Sequence, residues 1–151
     1  MQATPREVSV APDRFEVVHD DAVLQAELRS AIAVCVHDAV EEAGALLHLR
    51  FILRGPKRSE MTDSTLATEL LLLDRCVEAL REAAPAARNL QARIVAHIPD
   101  DPTAMTACEA VLTLVSHFLT DTGASVATPD VGIGAPRRLM FRPAMGRLAV
   151  R

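Results

Sequence analysis

Cys35 and His48 are the two side chains in this sequence best placed to do covalent chemistry together. Cys35 lies in a β-rich run at 32–37 and His48 in another at 45–53, with Asp38-Ala39-Val40-Glu41-Glu42-Ala43-Gly44 between them as the longer turn of a hairpin. A thiol beside an imidazole is the arrangement of a cysteine nucleophile and its base. The two share a face of the hairpin if residues paired across it sum to an odd number. The competing reading makes Cys35 a small core residue of an apolar strand. Ser30 is a weaker candidate, because successive strand side chains point to opposite faces and it stands one residue before Ala31. His37, His48 and His97 do not form a metal set: no pair has the helical i, i+4 spacing of a zinc site, and no carboxylate recurs at a fixed step. No metal and no cofactor is expected. Val131-Gly132-Ile133-Gly134 contains a Gly-x-Gly, but it leads into a strand and not a helix, which argues against a phosphate cradle.

The elements that must position these residues alternate between short strands and two amphipathic helices. Val8 and Val10, Phe15 with Val17 and Val18, and residues 23–28 read as strands, separated by turn signals at Pro12-Asp13 and Asp20-Asp21. The basic, breaker-rich stretch at 54–61, with Arg54, Lys57 and Arg58, reads as an exposed, mobile connection. Thr62-Asp63-Ser64 offers caps for a helix whose stripe is Leu66, Leu70, Leu73, Val77 and Leu80, ending before Pro85. A buried strand at 90–98 and the turn Pro99-Asp100-Asp101-Pro102 come next. Thr103, or Thr106 with Glu109 as a capping box, then starts a second helix with the stripe Met105, Cys108, Leu112, Val115 and Leu119 and Gly123 as its C-terminal cap. Strands at 125–128, 138–141 and 147–150 close the chain. This order predicts one α+β domain over 1–151, a single-domain α/β sandwich in which two amphipathic helices cover a mixed β-sheet system.

Composition narrows the partners. Half of the 151 residues are apolar and 24% charged, enough for one domain that buries roughly 70% of its unfolded surface. The three cysteines are odd in number and far apart, so neither a disulfide framework nor a Cys-x-x-Cys metal site is expected. A net charge of −4 with both signs interspersed, no Tyr or Trp and only four Phe argue against nucleic-acid binding. No basic segment followed by an apolar one opens the chain and no apolar run is long enough for a bilayer, so a cytoplasmic location without membrane insertion is expected.

Two blocks resemble the CheD family of chemoreceptor glutamine deamidases. Val8-Ser9-Val10-Ala11-Pro12-Asp13-Arg14-Phe15, Leu28-Arg29-Ser30-Ala31-Ile32-Ala33-Val34-Cys35 and Gly44-Ala45-Leu46-Leu47-His48 are similar to that family's Val-x-Val-Gly-x-Ala-Asp-Tyr, Leu-Gly-Ser-Cys-Val-Ala-Val-Cys and Gly-Gly-Met-Ala-His. The second block runs from Asp130 through Gly132, Arg137, Phe141, Pro143 and Gly146 to Arg147. It resembles the family ending Asp-x-Gly-Gly-x-x-x-Arg-Lys-x-x-Phe-x-Pro-x-x-Gly-Arg without a gap. The resemblance spans nearly the whole chain and implies a CheD-like fold.

It also implies what has been lost. In the family the cysteine of Gly-Ser-Cys attacks a glutamine amide or glutamyl methyl ester, the histidine of Gly-Gly-Met-Ala-His serves as base, and an upstream threonine assists. Those positions fall on Ala31, His48 and Gln25, so only the histidine is kept. Arg29 replaces the glycine before the Ser-Cys pair, and Ala96-His97-Ile98 replaces the family's Gly-Gly-Ala. Loss of the nucleophile in such a hydrolase costs roughly a millionfold in rate, or about 8 kcal/mol of barrier. The resemblance therefore points to a pseudoenzyme that binds chemoreceptor helices or a CheC-like phosphatase through Arg29, Ser30, Ala31, His48 and the Arg54, Lys57 and Arg58 connection. Two alternatives stand beside it: a hydrolase with Cys35 as relocated nucleophile, and a self-associating scaffold whose hairpin edge pairs between protomers.

Overall fold

Strand β4 (Ala31–Asp38) is buried at all eight of its positions, which requires cover on both of its faces. Its two sets of side chains serve two cores. Ile32, Val34 and Val36 face two helices, α1 (Asp63–Ala83) and α2 (Pro102–Asp121), whereas Ala31, Ala33 and Cys35 face a second sheet. The computed structural model describes residues 4–50 and 63–151, with side chains of α1 described from Glu69 onward. Arg54, Lys57, Arg58 and the expected mobile connection at 54–61 lie outside the described residues, as does the Leu66 side chain.

The chain builds three layers. Strands β1 (Arg6–Ser9), β3 (Ala22–Leu28), β9 (Arg137–Arg142) and β10 (Arg147–Val150) form an outer sheet in the order β1-β3-β9-β10. The inner sheet runs β2 (Arg14–Val18), β5 (Ala43–Arg50), β4 and β6 (Gln91–Ile98), with β7 (Ser125–Val126) and β8 (Asp130–Ile133) both pairing parallel to β6. The helices pack on the far face of the inner sheet. This is the α+β sandwich that the element order predicts. The hairpin of β4 and β5 lies in the middle of its sheet, β4 between β5 and β6 and β5 between β2 and β4. The scaffold alternative, which needed a free hairpin edge, therefore fails as stated.

Each layer follows from local sequence. On β3, Ala22, Leu24, Ala26 and Leu28 are buried while Val23, Gln25 and Glu27 face outward, the alternation of a sheet covered on one side. Small residues (Ala22, Ala26, Ala31, Ala33) let the two sheets approach, and Leu24, Leu46, Leu139 and Phe141 fill the space between them. On α1, Leu73, Cys76, Val77 and Leu80 are buried, and α2 buries Ala104, Cys108, Val111, Val115 and Leu119. Met105 and Leu112, expected in the stripe, are only partly buried, and Ala104 and Val111 take their places, so the α2 stripe is rotated toward those two. By length and composition α2 could cross a membrane, yet this face packs on β6 and β7. Neither Thr103 nor Thr106 caps α2. Asp101 does, its Oδ1 accepting from the Thr103 N–H at 3.0 Å, because Pro102 suits the first helical position and leaves the carboxylate just before it. Strand β8, hidden in the sequence by Gly132, Gly134 and Pro136, is an element that periodicity missed.

Turns are held by one buried carboxylate. Asp38 Oδ1 accepts from the N–H groups of Val40 and Glu41 at 3.0 and 3.4 Å, and Oδ2 from those of Arg88 and Asn89 at 3.2 and 3.3 Å. It thereby fastens the hairpin turn to the segment entering β6. Asp38→Asn replaces one acceptor oxygen by a donor facing two N–H groups, and we expect a loss of about 2–3 kcal/mol in urea unfolding, against a change within about 0.5 kcal/mol for the exposed neighbour Val40→Ala.

Candidate functional site

Hairpin pairing places the residues singled out in the sequence. Ala31 pairs with Arg50, Ala33 with His48 and Cys35 with Leu46, so paired numbers sum to 81, an odd value. Ala31, Cys35 and His48 consequently share the face turned toward the outer sheet. His48 lies opposite Ala33 and diagonal to both Ala31 and Cys35. Gln25 is elsewhere: it stands on the outward face of β3, on the solvent side of the outer sheet. The structure thus brings two of the three positions that the resemblance names onto one face and leaves the third apart.

That face is closed. Ala31 and Cys35 are fully buried and His48 is 2% exposed, all within or beside the core between the sheets. Burial pushes the Cys35 thiol far above its ordinary range, more than the Arg93 charge pulls it down, so the sulfur stays protonated. His48 Nδ1 is 3.0 Å from the Val10 carbonyl oxygen, to which it can only donate. The Val10 N–H in turn donates to the Gln25 carbonyl at 2.8 Å. His48 therefore joins the inner sheet to the outer one through the backbone of Val10. The geometry describes a packing histidine beside an inert thiol.

At one end of this face Arg29 and Ser30 carry the chain from the outer sheet to the inner one. Ser30 sits in the left-handed region at φ 48°, and its N–H donates to His97 Nδ1 at 2.9 Å. His97 Nε2 donates to the Gly134 carbonyl at 2.7 Å. With one nitrogen accepting and the other donating, the ring is the neutral Nε2–H tautomer. His97 also pairs with Ala31 across β4 and β6, so one imidazole clamps the Arg29-Ser30 turn, β6 and the loop after β8. The sequence signal for it is a lone polar residue in the otherwise apolar run 94–98. Arg29 itself is exposed and pairs with Glu27 at 2.9 Å.

The C-terminal block forms a second set of contacts. Arg137 makes a bidentate pair with Asp130 at 3.0 and 3.1 Å and reaches the carbonyls of Asp130 and Ala96. Its side chain lies across Gly132, where a Cβ would come 2.6 Å from the Arg137 Cδ. Phe141, fully buried, meets the His37 ring edge to face at 5.7 Å between centroids. Pro143 packs on Gly44, where an added Cβ would collide with the proline ring. Every residue singled out for the resemblance in this block, apart from the exposed Arg147, is engaged in packing or pairing.

Two buried polar atoms have no hydrogen-bond partner among the described residues, His37 Nδ1 and Glu69 Oε2. Burial, with Arg93 adding and Asp38 opposing, holds the His37 pKa below its ordinary value, so the ring is kept neutral. Burial and the nearby Asp13 carboxylate raise the Glu69 pKa to about 7. Asp13 is itself held by the Arg50 guanidinium at 2.7 Å. In the sequence Glu69 is one carboxylate beside the leucine stripe of α1, and nothing local marks it as buried. No group of three or more metal-ligating side chains occurs among the described residues. No protein-family model matches this chain, and no curated protein matches it in sequence.

Two expected outcomes follow from these environments. Cys76 and Cys108 are buried as well, with thiol pKa values pushed up to about 12 and about 11, so native protein at mildly alkaline pH should resist thiol reagents at all three cysteines. A fast-reacting thiol that disappears in Cys35→Ser would show instead that Cys35 is an accessible nucleophile. Glu69 binds its proton more tightly folded than unfolded, so its contribution to stability is complete below its ordinary pKa of 4.5 and is lost as pH rises to about 7. Unfolding titrations should therefore show Glu69→Gln gaining on the natural protein between those two values and running parallel to it above them.

Proposed function

We propose that this chain is a non-catalytic, CheD-like binding protein of a bacterial chemosensory system, cytoplasmic, with chemoreceptor helices or a CheC-like protein as its partner. The observation that carries the reading is the state of the nucleophile position. Ala31 has no attacking atom, and the neighbouring Cys35 is a protonated core thiol. A sulfur without thiolate character and without solvent access does not attack an amide. The contacts that the resemblance calls for, Asp130 with Arg137 over Gly132 near one end of β4 and Pro143 against Gly44 near the other, are nevertheless made. A scaffold without its chemistry is what an adaptor retains.

Docking on this reading uses the rim and not the floor. Ala31 and His48 are buried, so among the described residues of the expected partner surface Arg29 is exposed and Ser30 half-buried, beside the loop at Gly134. A cation on such a rim chiefly accelerates association with an acidic helix and makes it salt-sensitive. Ala31→Trp is accordingly a folding probe. It overpacks a closed core and should cost about 1–3 kcal/mol or more of stability.

The test is a titration of chemoreceptor cytoplasmic fragments and of a CheC-like protein against the natural chain and Arg29→Glu. Binding to one of them, weakened severalfold by the charge reversal and by added salt, is the expected result. Ammonia release from receptor glutamines, or the absence of binding to either partner, would overturn the reading.

A further inference from the structure

The outer sheet turns one face to the core and leaves the other to solvent, and the residues on that second face are arranged in rungs. Glu7 pairs with Val23 across β1 and β3, and Arg142 with Arg147 across β9 and β10. One more step of the β3–β9 register brings Val23 level with Arg142. The next rung is Ser9, Gln25, Met140 and Ala149. The third holds Glu27 and Arg138, with Arg151 bonded beside Arg138. Acids therefore occupy the β1 and β3 half of the face and bases the β9 and β10 half, with a neutral rung between them. Met140, 39% exposed, sits near the centre of that rung.

We infer that this face docks a second copy of the chain, face to face, about a two-fold axis running along the strands. Such an axis lays β1 over the partner's β10 and β3 over the partner's β9 while keeping each rung level with itself. Glu7 then meets the second copy's Arg147, and Glu27 its Arg138, each contact occurring twice because the interface is isologous. Gln25 meets Met140 and Ser9 meets Ala149 in the middle, where small and flexible side chains let two sheets pack at about 10 Å. Val23 covers the stem of Arg142, whose guanidinium is already held by Asp21 at 2.6 and 2.7 Å. An in-plane axis across the strands would instead bring β9 onto β9, setting Arg138 against Arg142, and is disfavoured by like charge.

Charge availability supports the same arrangement. Glu7 and Arg147 are exposed and have no ion-pair partner among the described residues; Glu27 is already held by Arg29 at 2.9 Å through Oε1, and only its Oε2, 3.8 Å from Arg138, is left for the second copy. The size of the face sets the strength. Four strands about 4.8 Å apart and a few residues long present on the order of 400 Å². That is about half the area per partner of a standard interface, so the dimer is weak and exchanges quickly.

Sedimentation of the full chain from micromolar to about millimolar concentration tests the inference, whatever the chain's partner in signalling. The natural protein should show reversible monomer–dimer exchange that weakens with salt. Glu7→Arg and Arg147→Glu should each weaken it about tenfold or more, and the double exchange of both charges should bring it back to within about threefold of the natural value. Both positions are exposed, so circular dichroism should show all variants folded; Met140→Arg gives an independent break in the middle rung. A protein that stays monomeric throughout, single reversals that leave association unchanged, or a double exchange that does not recover it would each overturn the inference.

Discussion

Burial of β4 on both faces is the constraint on which the rest of the structure depends. A strand covered on one side needs only alternate apolar residues, but one covered on both must present a core surface in each direction. The β4 sequence does so with unequal halves. Its branched residues Ile32, Val34 and Val36 meet the leucine-rich helices, and its small residues Ala31, Ala33 and Cys35 meet the outer sheet. Large residues on the second set would hold the sheets apart. Alanine at 31, which removes the nucleophile that the CheD resemblance calls for, is also the residue type that a closed inter-sheet layer accommodates.

Polar groups trapped by this layering are used to fasten it. His48 joins the sheets through Val10, His97 joins the Arg29-Ser30 turn to the loop after β8, and Asp38 gathers four backbone N–H groups at the opposite end of β4. Each bond satisfies a group that would otherwise be buried without a partner, at a desolvation cost of about 1–3 kcal/mol. Imidazoles that in an open cleft would be candidates for acid–base work are committed here to backbone carbonyls and amides. The same residues thus read as chemistry in the sequence and as joinery in the fold.

The C-terminal block carries this further. Its motif looks like a signature of function, yet Gly132 makes room for the Arg137 side chain, Arg137 holds Asp130, Phe141 backs His37, and Pro143 needs the bare backbone of Gly44. These are constraints of close approach, and they persist whatever stands at position 31. The packing that these residues provide therefore does not depend on an attacking group, because the two rest on different atoms.

Much of the architecture was legible in the sequence. Period-two alternation marked β3, the leucine spacing marked α1, and the hairpin announced itself by two β-rich runs around an acidic turn, because those periodicities are properties of local backbone geometry. Parity across the hairpin could be posed as a condition, but only the register, with pairs summing to 81, met it. Other features depended on contacts between distant segments. That Ala31 and His48 lie under a second sheet, that Gln25 faces away from them, that β8 is a strand, that His97 is a clamp and that Glu69 holds its proton to about 7 are all set by what packs against each residue. Sequence determined which residues alternate within β3, the β4–β5 hairpin and the two helices; tertiary structure decided which faces are closed, because burial and the pKa it displaces belong to the space between elements and not to any one of them.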